Sequence, residues 1–127
     1  MEHTLAMQIV GAVLVLIGIM KNRDPIGMNK SIFGDDVEGV DGGPAAAMRM
    51  LIGGAFAGIG TINLYCSFRV EDPVASEAIV VGTAMALGLV FGTIVWSKLR
   101  GFMNHIPTPP LVVFPTLIAV CLYSALM

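Results

Sequence analysis

The stretch that decides the fold is MRMLIGGAFAGIGTINLYCSF, residues 48–68, an apolar run with a single charge, Arg49, near its start. A helix rises about 1.5 Å per residue, and the hydrocarbon core of a membrane is roughly 30 Å thick. A run of about 20 apolar residues is therefore long enough to cross a bilayer once. The sequence predicts a transmembrane helix here.

Small residues recur along this run at helical spacing. They are Gly53, Gly54, Ala57, Gly58, Gly60 and Thr61. Residues three or four apart lie on one side of a helix, so Gly53, Ala57 and Gly60 share a face, with Gly54 and Gly58 beside it. Because membrane helices associate by close packing, small side chains allow another backbone to approach. We expect close helix packing along this strip.

The composition excludes an ordinary soluble domain. Of the 127 residues, 56% are hydrophobic and only 13% are charged, and the mean hydropathy is +0.84. The formal net charge is −2, and no basic cluster is long enough to follow a phosphate backbone. Nucleic acid is therefore not an expected partner, and the expected surroundings are membrane lipids.

Four apolar runs predict an all-α, integral membrane four-helix up-and-down bundle in a single domain, residues 1–127. The predicted helices span about residues 4–20, 46–68, 74–99 and 109–126. The first run is not expected to be a cleaved signal, because the basic residues Lys21 and Arg23 follow it instead of preceding it. Pro115 is expected to bend the fourth helix.

Residues 22–45 are predicted to be the one long loop, solvated and acidic. The segment GDDVEGVDGG in this loop does not have the alternating ligand positions of a calcium-binding EF-hand loop, so a metal site is not expected. The segment PIGMNKSIF, residues 25–33, offers apolar side chains that can lie at the membrane surface while Lys30 stays in water.

The basic residues predict the orientation. On one side lie Lys21, Arg23, Lys30, Arg49, Lys98 and Arg100, and on the other side lies Arg69. Cytoplasmic links are enriched in Lys and Arg, so for a bacterial inner membrane both termini are expected outside the cytoplasm. Arg49 and Trp96 are then candidates for contact with lipid head groups on the inner side. For Arg49, phosphate binding is the alternative to a simple interfacial anchor.

The third predicted helix repeats small residues four apart in two series. One is Ala78, Gly82 and Ala86, and the other is Ala84, Gly88 and Gly92. Such series favour close contact with two neighbouring helices. The neighbours are either helices of the same bundle or those of a partner, which would be another membrane subunit or a second copy of the chain.

Polar residues collect in the outer half of the predicted bundle. Gln8, Asn63, Glu77 and Tyr123 form a candidate pocket, with Ser76 and Thr83 at similar depth. A carboxylate near a helix N-terminus is favoured by the helix dipole, which explains Glu77 without any site. The functional alternative is a pocket that binds a head group or carries a proton.

The sequence carries no motif of a catalytic or metal site. The GxSxG, HExxH and phosphate-loop patterns are absent, and His3 and His105 are predicted on opposite membrane faces. Cys66 and Cys121 lie on different predicted helices without a CxxC spacing, which indicates buried free thiols. We expect no enzyme activity, no catalytic residue, no metal and no cofactor.

Three features of the chain from residue 46 onwards resemble a small uncharacterised bacterial family of four-helix integral membrane proteins, catalogued as a domain of unknown function. They are the segment MRMLIGGAFAGIG, a third apolar helix ending in GxxxG and a basic link, and a proline-started fourth helix. The clearest marker is Arg49 before Gly53 and Gly54. In that family an arginine often follows the glycines of the third helix, whereas here Thr93 follows Gly92. The resemblance implies the four-helix membrane fold and implies no activity.

For function, the sequence favours a structural or accessory subunit of a membrane protein complex that packs through its glycine and alanine strips. The alternative is a small transporter or lipid-binding membrane protein that uses the outer polar residues. A carrier needs polar groups at mid-depth along a water-accessible path. The predicted midplane is almost wholly apolar, which favours the packing subunit.

Overall fold

The computed structural model describes residues 2–102 and 108–127, and these residues contain five helices and no β-strand. The helices are α1 (His3–Arg23), α2 (Pro25–Phe33), α3 (Gly43–Arg69), α4 (Pro73–Leu99) and α5 (Thr108–Leu126). The prediction of an all-α protein is confirmed. His105 and Pro107, which the sequence places in the link before the last helix, lie outside the described residues.

The helix α2 corrects the prediction that residues 22–45 form a loop, and it coincides with the segment PIGMNKSIF of that loop. Asp24 is its N-cap, because the Asp24 Oδ1 accepts a hydrogen bond of 3.1 Å from the backbone N–H of Gly27. Pro25 follows in the first turn, where its missing N–H removes no helical hydrogen bond. The helix ends at Gly34, whose φ of +97° favours glycine. Local capping chemistry thus makes a short helix within a polar segment.

The long helices begin and end close to their predicted limits. At the start of α4, Asp72 Oδ1 accepts a hydrogen bond of 3.3 Å from the backbone N–H of Val74, and Pro73 lies in the first turn. The first helix continues beyond its prediction to Arg23, which puts Lys21 in its last turn. Pro115 lies inside α5, and the bend expected there stays a prediction.

Three helices in the described part of the chain, α1, α3 and α4, are long and apolar enough to cross a membrane. The apolar part of α5, Pro110–Leu126, is shorter. At about 1.5 Å per residue it covers roughly 25 Å, slightly less than a hydrocarbon core of about 30 Å. The lengths and compositions are compatible with a membrane location.

Contacts within the chain divide it into two compact units, of which the first joins the residues up to Val10 with those from Asn63 onwards. In this unit α4 and α5 pack against each other. Its buried apolar side chains are Ala6, Met7, Val10, Val80, Ala84, Leu87, Phe114, Leu117 and Cys121. On α4, Val80, Ala84 and Leu87 are three or four residues apart, so one face of this helix is covered.

The second unit is Gly11–Ile62, which contains most of α1, all of α2 and most of α3. Here α1 and α3 meet at glycines. A Cβ atom built on Gly18 would lie 2.5 Å from the carbonyl oxygen of Gly53, and one built on Gly60 would lie 2.6 Å from that of Gly11. Real Cβ atoms do not approach other atoms this closely. The separation of the two helices therefore requires glycine at these positions.

Candidate functional site

Three polar side chains of the second unit, Lys21, Asn29 and Arg49, lie on the turns where α1, α2 and α3 approach one another, and we name them the cationic cluster. Lys21 lies in the last turn of α1, Asn29 lies on α2, and Arg49 lies two turns into α3. The exposed fraction is 8% for Lys21 and 3% for Asn29, and Arg49 is half-buried. Charged and amide groups are rarely buried to this extent without partners, which makes their environment informative.

The glycine contact between α1 and α3 brings the two cations to one place. The Cβ of Lys21 lies 2.9 Å from the position that a Cβ on Gly53 would take. Arg49 precedes Gly53 by four residues and therefore lies on the same face of α3, one turn earlier. Close helix packing thus places the Lys21 and Arg49 positions within about one helical turn of each other along the contact between α1 and α3.

Asn29 is oriented by Arg49. The guanidinium Nε of Arg49 donates a hydrogen bond of 2.7 Å to the Oδ1 of Asn29. Because arginine can only donate, the amide oxygen must face it, and the amide nitrogen must face elsewhere. That nitrogen, Nδ2, is buried and has no hydrogen-bond partner in the described part of the chain. Leaving a buried donor without an acceptor costs about 1–3 kcal/mol.

Aromatic rings lie beside both cations. The Lys21 Nζ is 6.0 Å from the centre of the Phe56 ring, and the Arg49 Cζ is 5.9 Å from the centre of the Phe33 ring. Contacts of this kind contribute about 0.5–1 kcal/mol at exposed sites and more when desolvated. The ring faces attract the cations but leave their full charges in place.

No carboxylate neutralises the cationic cluster among residues 2–102 and 108–127, where neither Lys21 nor Arg49 forms an ion pair. The nearest acidic residue along the chain, Asp24, is exposed and caps α2. The acidic residues of the following segment are also exposed. They are Asp35, Asp36, Glu38 and Asp41. The cluster therefore presents two positive charges and an unused amide N–H₂, and its arrangement is suited to an anion.

Only one member of the cationic cluster was identified from the sequence. Arg49 was a candidate for a head group or phosphate, and its binding role stays a prediction. Lys21 was used only as a marker of orientation, and Asn29 lay in a predicted loop. The sequence signal that identifies α2, Asp24 followed by Pro25, would have placed Asn29 on a helix. Trp96, the other predicted head-group contact, is 61% exposed on α4.

The four residues of the predicted outer pocket all belong to the first unit. Asn63 is buried, and its Nδ2 donates a hydrogen bond of 3.1 Å to the Oγ1 of Thr83, which donates to the carbonyl oxygen of Ile79 at 2.8 Å. Glu77 and Tyr123 are exposed, and Gln8 is half-buried. The structure therefore pairs Asn63 with Thr83, and a ligand pocket made with Glu77 stays a prediction.

A second polar contact in the first unit was not expected from the sequence. The Nδ1 of His3 on α1 lies 2.8 Å from the Oγ of Ser124 on α5, within hydrogen-bond distance. Ser124 is almost fully buried. In the described residues, no group of three or more His, Cys, Asp or Glu side chains is placed to hold a metal ion. Cys66 and Cys121 are free thiols.

The predicted packing glycines fall into two groups. Gly53 and Ala57 lie against Gly18 of α1, where a Cβ on Gly18 would be 2.7 Å from the Cβ of Ala57. In the described residues, a Cβ built on any member of the second group would have no atom within 4 Å beyond its chain neighbours and the backbone of its own helix. This group comprises Gly54, Gly58, Gly82, Gly88 and Gly92. Within the part of the chain that the structure describes, the first group contacts α1 and the second group is open.

Comparisons with known proteins add no further assignment. No protein-family model, no curated protein and no solved structure matches this chain.

Proposed function

We propose that this protein is an integral membrane protein with four spans that acts as a structural or accessory subunit, packing through glycine faces against another membrane helix. The proposal is supported by three helices of membrane-spanning length and by a fourth apolar helix, α5. The observation that carries it is the group of open glycines on α3 and α4. These positions have a helix backbone at the surface that nothing in the described chain covers.

On α3, Gly54 and Gly58 are four residues apart and form an open ridge. They are exposed, and the large apolar side chains of Leu51 and Ile62 on the same side are exposed as well. The neighbouring face of the helix, about 100° away, carries Gly53, which contacts α1. Glycines four apart allow two helices to approach closely in a membrane, where van der Waals contact replaces the hydrophobic effect as the driving force.

On α4, Gly88 and Gly92 repeat this arrangement. Both are exposed, and Met85 and Leu89 beside them are exposed too. The proposed occupant is another membrane helix, and a second copy of the chain supplies one with the same face. A two-fold pair of identical faces is self-complementary, and two-fold dimers are the commonest protein assemblies. The other possible occupant is a helix of a different subunit, and the experiment must distinguish it from a second copy of the chain.

Leucine at Gly88 is expected to weaken association by about tenfold or more while insertion survives, because it adds apolar volume to the contact and no polar group to the bilayer. The measurement is energy transfer between two labelled populations of the protein in lipid vesicles. Thr93→Leu is the matched control, since Thr93 is exposed on α4 at similar depth but points about 100° away from Gly92.

Crosslinking in native membranes distinguishes the source of the partner. Another subunit is the partner if the parent protein shows no energy transfer but forms a crosslink to a different protein. The Gly88→Leu variant should then lose that crosslink. If leucine at Gly54, Gly58, Gly88 and Gly92 changes neither measurement, the packing-subunit proposal is wrong.

For the orientation, we propose both termini outside the cytoplasm of a bacterial inner membrane. The support is the uneven distribution of basic residues between the two sets of links. A reporter enzyme that is active only outside the cytoplasm should be active when fused after Met127 and inactive when fused at Gly39. The reverse result would overturn the proposed orientation.

A further inference from the structure

We propose that Lys21, Asn29 and Arg49 form a binding site for a phosphate group, carried by a phospholipid head group or by free phosphate. Arg49 is hydrogen-bonded to Asn29, and Lys21 lies about one turn away on the facing helix α1. Among the described residues, the two cations have no carboxylate partner and the buried amide nitrogen of Asn29 has no acceptor. The proposal goes beyond packing through glycine faces, and none of its three residues is among the open glycines of α3 and α4.

The donor set indicates an anion as the ligand. Lysine and arginine only donate, and the single acceptor among the three side chains, Asn29 Oδ1, is already bonded to Arg49. The groups that remain free are the Lys21 ammonium, the terminal nitrogens of Arg49 and the Asn29 Nδ2. Buried charges are normally paired, and neither of these two cations forms an ion pair in the described residues. A bound anion supplies both the missing charge and the missing acceptor.

The geometry favours phosphate over a smaller anion. The bond from Arg49 Nε to Asn29 fixes the plane of the guanidinium and leaves its outer nitrogens for a ligand. Arginine presents parallel N–H groups that fit two oxygens of a phosphate, whereas the lysine ammonium acts as a point charge. The three donors come from three different helices, and a tetrahedral group with several oxygens can accept from all of them.

The position of the cationic cluster along the chain favours a lipid head group as the source of the phosphate. Lys21 closes the apolar run of α1, and Arg49 lies near the start of α3, so both lie near the ends of helices long enough to span a membrane. Long basic side chains at such ends reach the depth of the lipid phosphates. The connecting helix α2 exposes Ile26 and Phe33, as helices that lie in the membrane surface do.

The test is calorimetric titration of the full chain, purified in dodecyl maltoside and phosphate-free buffer. The probes are dihexanoyl phosphatidic acid, dihexanoyl phosphatidylglycerol, sodium phosphate, and sodium hexanoate as an anion without phosphate. Lys21→Gln and Arg49→Gln are each expected to weaken phosphate-lipid binding about tenfold or more. Lys30→Gln removes an equal charge from an exposed position on α2 and is expected to leave binding unchanged.

The Asn29→Asp variant distinguishes a specific loss of binding from a loss caused by misfolding. The carboxylate still accepts from Arg49 but adds a negative charge, so this folded variant should not bind the probes. Phosphorus analysis of the purified parent and of Asn29→Asp detects a lipid that is already bound, and the parent should then carry more phosphorus. Gly88→Leu should bind as the parent does, which separates this proposal from helix association.

Binding of both lipids, or of sodium phosphate alone, supports the site and identifies the source of the phosphate. If Lys30→Gln weakens binding of the phosphate lipids as much as Arg49→Gln does, general surface charge explains the binding and the proposed site is wrong. Tight binding of hexanoate, or no binding and no bound phosphorus in the parent, would overturn it as well.

Discussion

Alanine at Gly60 is expected to lower the free energy of unfolding by about 1–3 kcal/mol, the usual cost of inserting a methyl group into a closely packed contact. The added Cβ would lie 2.6 Å from the carbonyl oxygen of Gly11 and 2.9 Å from the backbone nitrogen of Val15. Both are backbone atoms of α1, so a rotating side chain cannot relieve the overlap. The two helices must move apart, and the contact that places Lys21 beside Arg49 weakens with them.

Gly58→Ala is the matched control for this prediction. Gly58 lies two residues away on the same helix, and a Cβ there would have no atom of another described helix within 4 Å. Alanine also has a higher helix propensity than glycine, by about 1 kcal/mol in water, so this variant should be unchanged or slightly more stable. The measurement is loss of circular dichroism on titration with sodium dodecyl sulfate. Equal stability of the Gly60 and Gly58 variants would contradict the contact between α1 and α3.

Aspartate at Asn29 is expected to raise the stability of the isolated protein by about 1–2 kcal/mol, because a hydrogen bond to a charged group is stronger than one to a neutral amide. The carboxylate replaces an amide whose buried Nδ2 has no acceptor in the described chain. It also accepts a hydrogen bond from Arg49, a cation that has no carboxylate partner there. Burying one further charge has a cost, but pairing it with charges that are already buried offsets that cost.

The measurement for Asn29→Asp is the thermal midpoint in phosphate-free detergent solution. Asn22→Asp is the control, since it makes the same chemical change at an exposed residue next to Lys21. The midpoint is expected to rise for Asn29→Asp and to change much less for Asn22→Asp. Added phosphatidic acid should raise the midpoint of the parent and not that of Asn29→Asp, because only a ligand that binds the folded state stabilises it. A lower midpoint for Asn29→Asp would contradict the electrostatics of the cationic cluster.

The helical content was predictable because it depends on local chemistry. Long apolar runs in a membrane allow few structures other than helices. Asp72 and Pro73 are residue types that favour a helix start, and they mark the beginning of α4. The same pair of residue types, Asp24 and Pro25, marks α2. Here the polar composition and the nearby acidic residues predict a loop, whereas the capping pair favours a helix, and the structure has the helix.

The candidate site was less predictable, because it depends on contacts between residues far apart in the chain. Arg49 was identified by its charge at the start of an apolar run. Nothing local distinguishes Lys21 from Arg23, since both are basic residues at the end of the first run, yet Lys21 is buried and Arg23 is exposed. Their difference arises from which side of α1 faces Gly53.

By itself, the sequence determined the number of long apolar segments, the limits of their helices and the uneven distribution of basic residues, because these follow from composition and capping. Helical spacing also defined two glycine faces on α3, one with Gly53 and one with Gly54. Only the tertiary structure decided that α1 covers the first face and that the second is open. It also decided that Asn29 lies against Arg49. The physical reason is that spacing fixes which residues share a face, whereas the burial of a face depends on a partner helix distant in the sequence.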